Sequence, residues 1–197
     1  GDRIFDLMLR TGYSPKRFEI LQELFSSGAI EVSRLDQLTW SRWRDALTPS
    51  QVIDLLKTLL NQRAKISGLI SFMEAYLRTH PAVLDDLKET AIDLLRRGEE
   101  TDLNVRTMHG YYWEQLANRL VKENPHEIAE AALAEIGRRQ SSIQHGLVEV
   151  LQAAWKLTDK GKLFREVVAP WLEMETTEAW WVRRAIERAL PLDQVGV

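Results

Sequence analysis

The sequence contains no cysteine among its 197 residues. This absence excludes disulfide frameworks, thiolate metal sites and cysteine nucleophiles, and it favours a reducing compartment, so we expect a cytoplasmic protein. The sequence also lacks an apolar run long enough to cross a membrane, and no basic start followed by an apolar core marks a secretory signal. Because the chain begins at Gly1 rather than at a methionine, we expect it to be part of a longer protein.

The sequence also lacks a large excess of charge of either sign. The chain has 26 lysine and arginine residues against 29 aspartate and glutamate residues, a net charge of −3. Proteins that bind nucleic acid usually carry a basic excess, because contacts with phosphates supply most of their non-specific affinity. Nucleic acid is therefore a disfavoured partner, since any basic face would have to be assembled by folding.

Helix signals recur along the whole chain. Four prolines stand where the first residue of a helix is expected, each after a polar residue: Ser14-Pro15, Thr48-Pro49, His80-Pro81 and Asn124-Pro125. The serine, threonine and asparagine can cap the free backbone N–H groups, and Gly28 and Gly98 can end helices in the left-handed conformation. Apolar residues between these signals recur at helical spacing, as at Val52, Leu55, Leu56 and Leu59. The sequence therefore predicts an all-α fold of about ten helices, with residues 29–32 as the only hint of extended chain.

The helices also show an internal repeat. The dipeptides His109-Gly110 and His145-Gly146 lie 36 residues apart, and apolar residues correspond at the same offset, such as Ala131 with Val167 and Ala132 with Val168. Glycine inside a helix usually indicates close approach of another helix, and Gly68 has a comparable position one helix pair earlier.

In period and apolar pattern, the chain from Thr48 to Leu190 resembles the HEAT/armadillo-like α-solenoid superfamily. The resemblance implies a right-handed stack of antiparallel helix pairs, a HEAT-like α–α superhelix, over residues 48–197. Pro170, inside an apolar helical stripe, is expected to kink or split its helix, as is common in HEAT-like units. Residues 1–47 are expected to form an N-terminal helical cap or a separate small helical module.

The sequence offers few candidates for catalytic or metal-binding residues. His126 with Glu130, and His145 with Glu149, are i,i+4 pairs that could share a metal ion, but exposed polar pairs are the simpler interpretation. The sequence has no phosphate-binding glycine loop and no Gly-x-Ser-x-Gly turn. We therefore predict no catalytic residue, no metal and no cofactor, and a protein that is not an enzyme.

The candidate partner-binding residues are tryptophans and arginines. Adjacent Trp180 and Trp181 diverge on one helix, so one of them is expected to reach an edge or an interface, whereas Trp40 and Trp43 are expected to share a helix face. Arginine pairs recur at intervals of 42 and 45 residues: Arg96-Arg97, Arg138-Arg139 and Arg183-Arg184. They could form a basic stripe, although two of the pairs could instead cap helix ends. From these sets we select Trp180, Trp181, Arg183, Arg184, Arg138 and Arg139.

Helical stacks mostly bind other proteins, so we expect a protein–protein interaction or scaffold module with a protein or peptide partner and no membrane association. The alternative is a nucleic-acid-binding HEAT-like protein. The segment from Trp180 to Arg184 resembles the groove-lining helices of HEAT-like DNA glycosylases that act on alkylated bases. That resemblance implies a basic groove with aromatic residues and an aspartate at the target base, for which Trp40, Trp43 and Asp45 are the candidates.

Overall fold

The computed structural model describes residues 1–61, 66–98, 106–141 and 145–191, with side chains from residue 110 onward in the third range. Within these ranges every regular element is helical and no strand is present, so the predicted all-α class is confirmed. The described α-helices number eleven, close to the predicted ten. They are α1 (Asp2–Thr11), α2 (Pro15–Ser26), α3 (Pro49–Asn61), α4 (Ile66–Thr79), α5 (Leu84–Arg97), α6 (Arg106–Leu120), α7 (Pro125–Arg139), α8 (His145–Leu157), α9 (Lys160–Leu163), α10 (Ala169–Glu173) and α11 (Thr177–Ala189). Two 3₁₀ segments, Val32–Trp40 and Pro81–Val83, and a π-helical turn, Phe164–Val168, complete the described set.

Polar side chains cap two of the predicted helix starts. The Ser14 hydroxyl accepts a hydrogen bond from the Arg17 N–H at 3.3 Å. At α3, the Thr48 hydroxyl accepts from the Gln51 N–H at 3.4 Å, and the Gln51 carboxamide accepts from the Thr48 N–H at 3.0 Å, which is a capping box. The cap predicted at Asn124 is wrong. Its backbone lies at ψ 55° instead of the extended ψ of 158° at Ser14, and its side chain makes no capping hydrogen bond.

The predicted helix stops and the predicted break are confirmed. Gly28 and Gly98 have φ values of 70° and 65°, the left-handed conformation that glycine adopts without a Cβ clash. Pro170 lies two residues into α10, directly after the π-helical turn. Because proline has no N–H to continue the α-helical ladder, the segment from Lys160 to Glu173 is split into α9, the π turn and α10. The extended chain suggested at residues 29–32 is absent, since Val32 already begins a 3₁₀ segment.

The chain divides into two compact units, and the first is Gly1–Leu94. Its central element is α4, whose residues from Gly68 to Leu77 are all buried. A helix that is buried all round can approach its neighbours closely where it carries glycine. A Cβ built on Gly68 would lie only 3.0 Å from the Val32 carbonyl oxygen of the first 3₁₀ segment, which confirms the predicted close approach.

The prediction that Trp40 and Trp43 share a helix face is wrong. Trp43 is fully buried, and its indole N–H donates to the Met8 carbonyl at 2.8 Å. Trp40 is 67% exposed. The reason is local: Trp40 ends a 3₁₀ segment and Trp43 lies in the turns that follow, so the 3.6-residue period does not apply.

The second unit is Leu95–Val197. Its central helix is α7, which packs against α8 and α11, while α6 and α11 each also pack against α8. The core of this unit consists of leucine, isoleucine, valine, alanine and two tryptophans, including Trp113, Leu116, Leu120, Ile128, Ala132, Ile136, Leu147, Val150, Leu151, Trp155, Val168, Val182 and Ile186.

The repeat predicted at an offset of 36 residues is matched in part by burial. Ala131 and Val167 are both buried, as are Ala132 and Val168, whereas Val121 is buried and its counterpart Leu157 is exposed. The boundary predicted at Thr48 lies inside the first unit, where the Tyr76 hydroxyl donates to the Leu47 carbonyl at 2.5 Å. That division into cap and repeats, like the solenoid arrangement, stays a prediction.

Candidate functional site

The most distinctive surface of the second unit lies on α11. Its helix start is fixed by Thr176, whose hydroxyl accepts from the Ala179 N–H at 3.1 Å. Apolar residues on one side of the helix are buried in the core: Ala179, Val182, Ala185, Ile186 and Ala189. Trp180 and Arg184, one helical turn apart, remain exposed on the other side. The amphipathic pattern of α11 therefore presents an aromatic and a cationic side chain to solvent.

These side chains hold one another in place. Trp180 is 43% exposed, and its ring meets the Trp181 ring edge to face with centroids 4.7 Å apart. The Arg184 guanidinium carbon lies 4.8 Å from the centroid of the Trp180 ring, within the range of a cation–π contact. Among the described residues, Arg184 has no carboxylate partner. We call Trp180, Trp181 and Arg184 the α11 surface.

A cleft of about 140 Å³ opens beside the α11 surface. Its lining residues come from α11, from the first turn of α8 and from the residue after Gln140: Trp181, Arg184, Ala185, Arg188, His145, Val148 and Ser141. Two guanidinium groups and an imidazole therefore converge on a space with an aromatic wall. Within the described part of the chain, no carboxylate lines it. The arrangement is suited to an anionic group.

Arg183 has a different role from its neighbour. Its Nη1 donates to the Met174 carbonyl at 2.7 Å and so ties α11 to the segment that precedes it. Of the four candidates predicted on this helix, the structure brings three together, namely Trp180, Trp181 and Arg184, and assigns Arg183 a structural contact.

Arg138 and Arg139 belong to a buried ion-pair network around Glu135, whose carboxylate is 1% exposed. Arg138 donates to Oε2 of Glu135 through Nε at 2.9 Å and Nη2 at 2.7 Å. Arg139 donates from Nε to Oε1 at 2.9 Å and from Nη1 to Glu114 at 3.1 Å. The Arg138 Nη1 also lies 3.5 Å from the Arg96 carbonyl near the end of α5. We call Glu114, Glu135, Arg138 and Arg139 the buried network.

The glycines of the two His-Gly dipeptides meet this network. A Cβ on Gly110 would lie 3.0 Å from the Arg139 guanidinium, and a Cβ on Gly146 would collide with the Glu114 carboxylate. Both glycines therefore make room for charged side chains, whereas the prediction was the close approach of another helix. The charges of Arg138 and Arg139 are matched by carboxylates, so these two candidates are held inside the unit instead of facing a partner.

Sequence reasoning missed Glu135, although a signal was present. Residues 128, 131, 132, 135 and 136 form one helical stripe, and the other four are apolar: Ile128, Ala131, Ala132 and Ile136. A glutamate on such a stripe must be buried, and a buried carboxylate needs partners. The two arginines that follow it on the next turn supply them.

The predicted i,i+4 pair of His126 with Glu130 does not form. His126 Nε2 lies 2.9 Å from Glu166 of the π turn, and Glu130 instead pairs with Arg96 at 3.0 Å. The His109 side chain lies outside the described residues. Within the described ranges, no group of three or more histidine, aspartate or glutamate side chains is arranged to hold a metal ion.

The first unit carries a second exposed tryptophan. The Arg78 guanidinium carbon lies 4.9 Å from the Trp40 ring centroid, but Arg78 also pairs with the buried Glu74 at 3.9 Å. Asp45 is held by Arg44 at 3.1 Å, and the hydrogen bond from Arg44 lowers the Asp45 pKa below its usual range. Because Trp43 is buried in the core, the aromatic–acid cluster that the glycosylase resemblance implied from Trp40, Trp43 and Asp45 does not form.

Comparisons with family models, with curated proteins and with solved structures found no match to this chain. Among the described residues, no helix has the length and apolar character needed to span a membrane.

Proposed function

We propose that this chain is a protein-interaction or scaffold module built from HEAT-like helical repeats, and that its α11 surface binds a protein partner. The observation that carries the proposal is the exposed Trp180 ring with the Arg184 guanidinium over it, beside an open cleft. Tryptophan and arginine are the residues most enriched among those that dominate binding energy at protein interfaces. A half-exposed tryptophan held in one orientation by its neighbours can bind with little loss of side-chain entropy.

Helix contacts in the second unit support the repeat interpretation. We take α6, α8 and α11 as the first helices of successive repeats. In that assignment α6 contacts α8, α8 contacts α11, and α7 contacts the π turn of the following repeat. Stacked repeats make contacts of this kind between neighbours. The contact of α7 with α11 joins elements two repeats apart, which a strictly nearest-neighbour solenoid would not make.

Binding to nucleic acid is the alternative function, and one observation favours it. Arg184, Arg188 and His145 converge on one cleft beside two tryptophans, a combination that also suits phosphates and bases. The net charge of −3 opposes it, because the remaining surface would repel the phosphate backbone. We therefore argue for a protein partner and treat nucleic acid as an outcome of the test.

The test compares two exposed tryptophans that each carry an arginine over the ring. The full chain is immobilised as wild type, Trp180→Ala and Trp40→Ala, and proteins are captured from a lysate with and without nuclease treatment and identified by mass spectrometry. We expect a captured protein that Trp180→Ala loses and Trp40→Ala retains. Capture that is equal for all three forms, or that disappears only after nuclease treatment, would contradict the proposal.

A further inference from the structure

We propose that the cleft beside α11 receives a carboxylate side chain from an acidic segment of the partner, with an adjacent apolar side chain of that segment packed on Trp180. This inference rests on the proposed function, since it specifies the chemistry of the partner at the same surface. It follows from the size of the cleft, its charge and the position of its arginines.

Size favours a side chain over a whole cofactor. The cleft measures about 140 Å³, whereas pockets that hold small-molecule ligands usually measure about 300–1,000 Å³. A cleft of this size is closer to the size of an aspartate or glutamate side chain than to that of a nucleotide.

Charge favours an anion. Arg184 lies on α11 and has no carboxylate partner among the described residues, Arg188 follows one turn later, and His145 adds an imidazole from α8. His145 is also the first residue of α8, so the positive end of that helix dipole lies near the same space. A guanidinium can donate two parallel hydrogen bonds to a carboxylate, which gives such a pair both strength and a fixed orientation.

The position of the Arg184 guanidinium beside two tryptophan rings favours a peptide that is partly apolar. The Trp180 ring holds the Arg184 guanidinium on one side, and the Trp181 ring lines the cleft. A segment whose carboxylate meets Arg184 would therefore place its neighbouring residues over tryptophan rings. The exposed Trp40 ring of the first unit lacks this combination, because the arginine over it, Arg78, is paired with Glu74.

The experiment measures fluorescence anisotropy of a labelled eight-residue peptide, with alternating aspartate and glutamate around a central phenylalanine, titrated with the full chain. A peptide with asparagine and glutamine at the acidic positions is the neutral control, and a labelled DNA duplex is the nucleic-acid arm. The variants are Arg184→Ala, Arg184→Lys and, as a matched control, Arg165→Ala, an exposed arginine of the π turn. Circular dichroism verifies that each variant is folded.

We expect the acidic peptide to bind and the neutral one to bind at least tenfold more weakly. Arg184→Ala should weaken binding about tenfold or more, because a hydrogen bond to a charged group has roughly that effect on affinity. Arg184→Lys should recover part of the loss by restoring the charge without the paired donors. Arg165→Ala should leave binding unchanged.

Other results would overturn the inference. Equal binding of the two peptides, or a loss in Arg165→Ala as large as in Arg184→Ala, would remove the carboxylate site. Binding of the duplex but not of the acidic peptide would replace the protein partner with nucleic acid. If neither probe binds while Trp180 remains necessary for capture of a protein, the inference fails and the proposed function stands.

Discussion

Replacing Glu135 with glutamine tests the buried network most sharply. The substitution keeps the shape of the side chain but removes its charge, and it sets an NH₂ group against a guanidinium donor. Three hydrogen bonds of 2.7–2.9 Å reach the wild-type carboxylate, and bonds to charged groups contribute about 1.5–3 kcal/mol each without being additive. Breaking a fully buried ion pair costs about 3–5 kcal/mol. Arg138 and Arg139, however, keep 29% and 18% of their side-chain surface exposed, so water can solvate their charges after the substitution. We therefore expect Glu135→Gln to lower the free energy of unfolding by about 2–3 kcal/mol.

The assay is urea denaturation followed by circular dichroism, with hydrogen exchange of the α7 amides as a local readout. Glu130→Gln is the matched control, because Glu130 lies on the same helix and also pairs with an arginine at 3.0 Å. Both side chains of that pair are about half exposed, so its loss should cost less than about 1 kcal/mol. If the two substitutions have equal effects, the buried network does not stabilise the second unit more than an exposed ion pair does.

Three further substitutions test the first unit. Tyr76→Phe removes a hydroxyl that donates to the Leu47 carbonyl at 2.5 Å, and we expect a loss of about 1–2 kcal/mol in urea denaturation. Burial raises the Tyr76 pKa above its ordinary 10.0, so the unfolded state ionises first, and wild-type stability should fall above pH 10.0 more steeply than that of the variant. Burial also raises the Asp36 pKa above 3.8, so the folded state keeps this proton to a higher pH than the unfolded state does. Wild-type stability should therefore fall as the pH rises above 3.8, and Asp36→Asn should remove this fall. Gly68→Ala should lower the melting temperature, because the new Cβ would lie 3.0 Å from the Val32 carbonyl oxygen. Such overpacking costs about 1–3 kcal/mol, against a gain of about 1 kcal/mol in helix propensity. A higher melting temperature would contradict the close packing of α4.

Local signals in the sequence predicted much of the secondary structure, because capping and termination depend on a few neighbouring residues. Ser14 and Thr48 cap their helices, Gly28 and Gly98 end theirs, and Pro170 breaks its helix. The errors arose where the local backbone conformation differed from the helical one that the pattern assumed. At Asn124 the backbone conformation differs from that of a side-chain cap, and Trp43 lies in turns that follow a 3₁₀ segment, where the α-helical period does not apply.

The candidate site was predictable in part. The divergence of Trp180 and Trp181 and the presence of Arg184 on the same helix face follow from sequence spacing. The cleft does not, because His145 reaches it from another helix, and only tertiary packing brings the two together. Arg138 and Arg139 were selected by residue type, whereas their role depends on a buried glutamate one turn away.

Hydroxyl-radical footprinting of the full chain in complex with its captured partner tests the central claim most directly. Trp180 and Trp40 are 43% and 67% exposed in the chain alone, so both should be oxidised in the absence of the partner. We expect the partner to protect Trp180 from oxidation and to leave Trp40 as reactive as before. Protection of Trp40 with no change at Trp180 would contradict it.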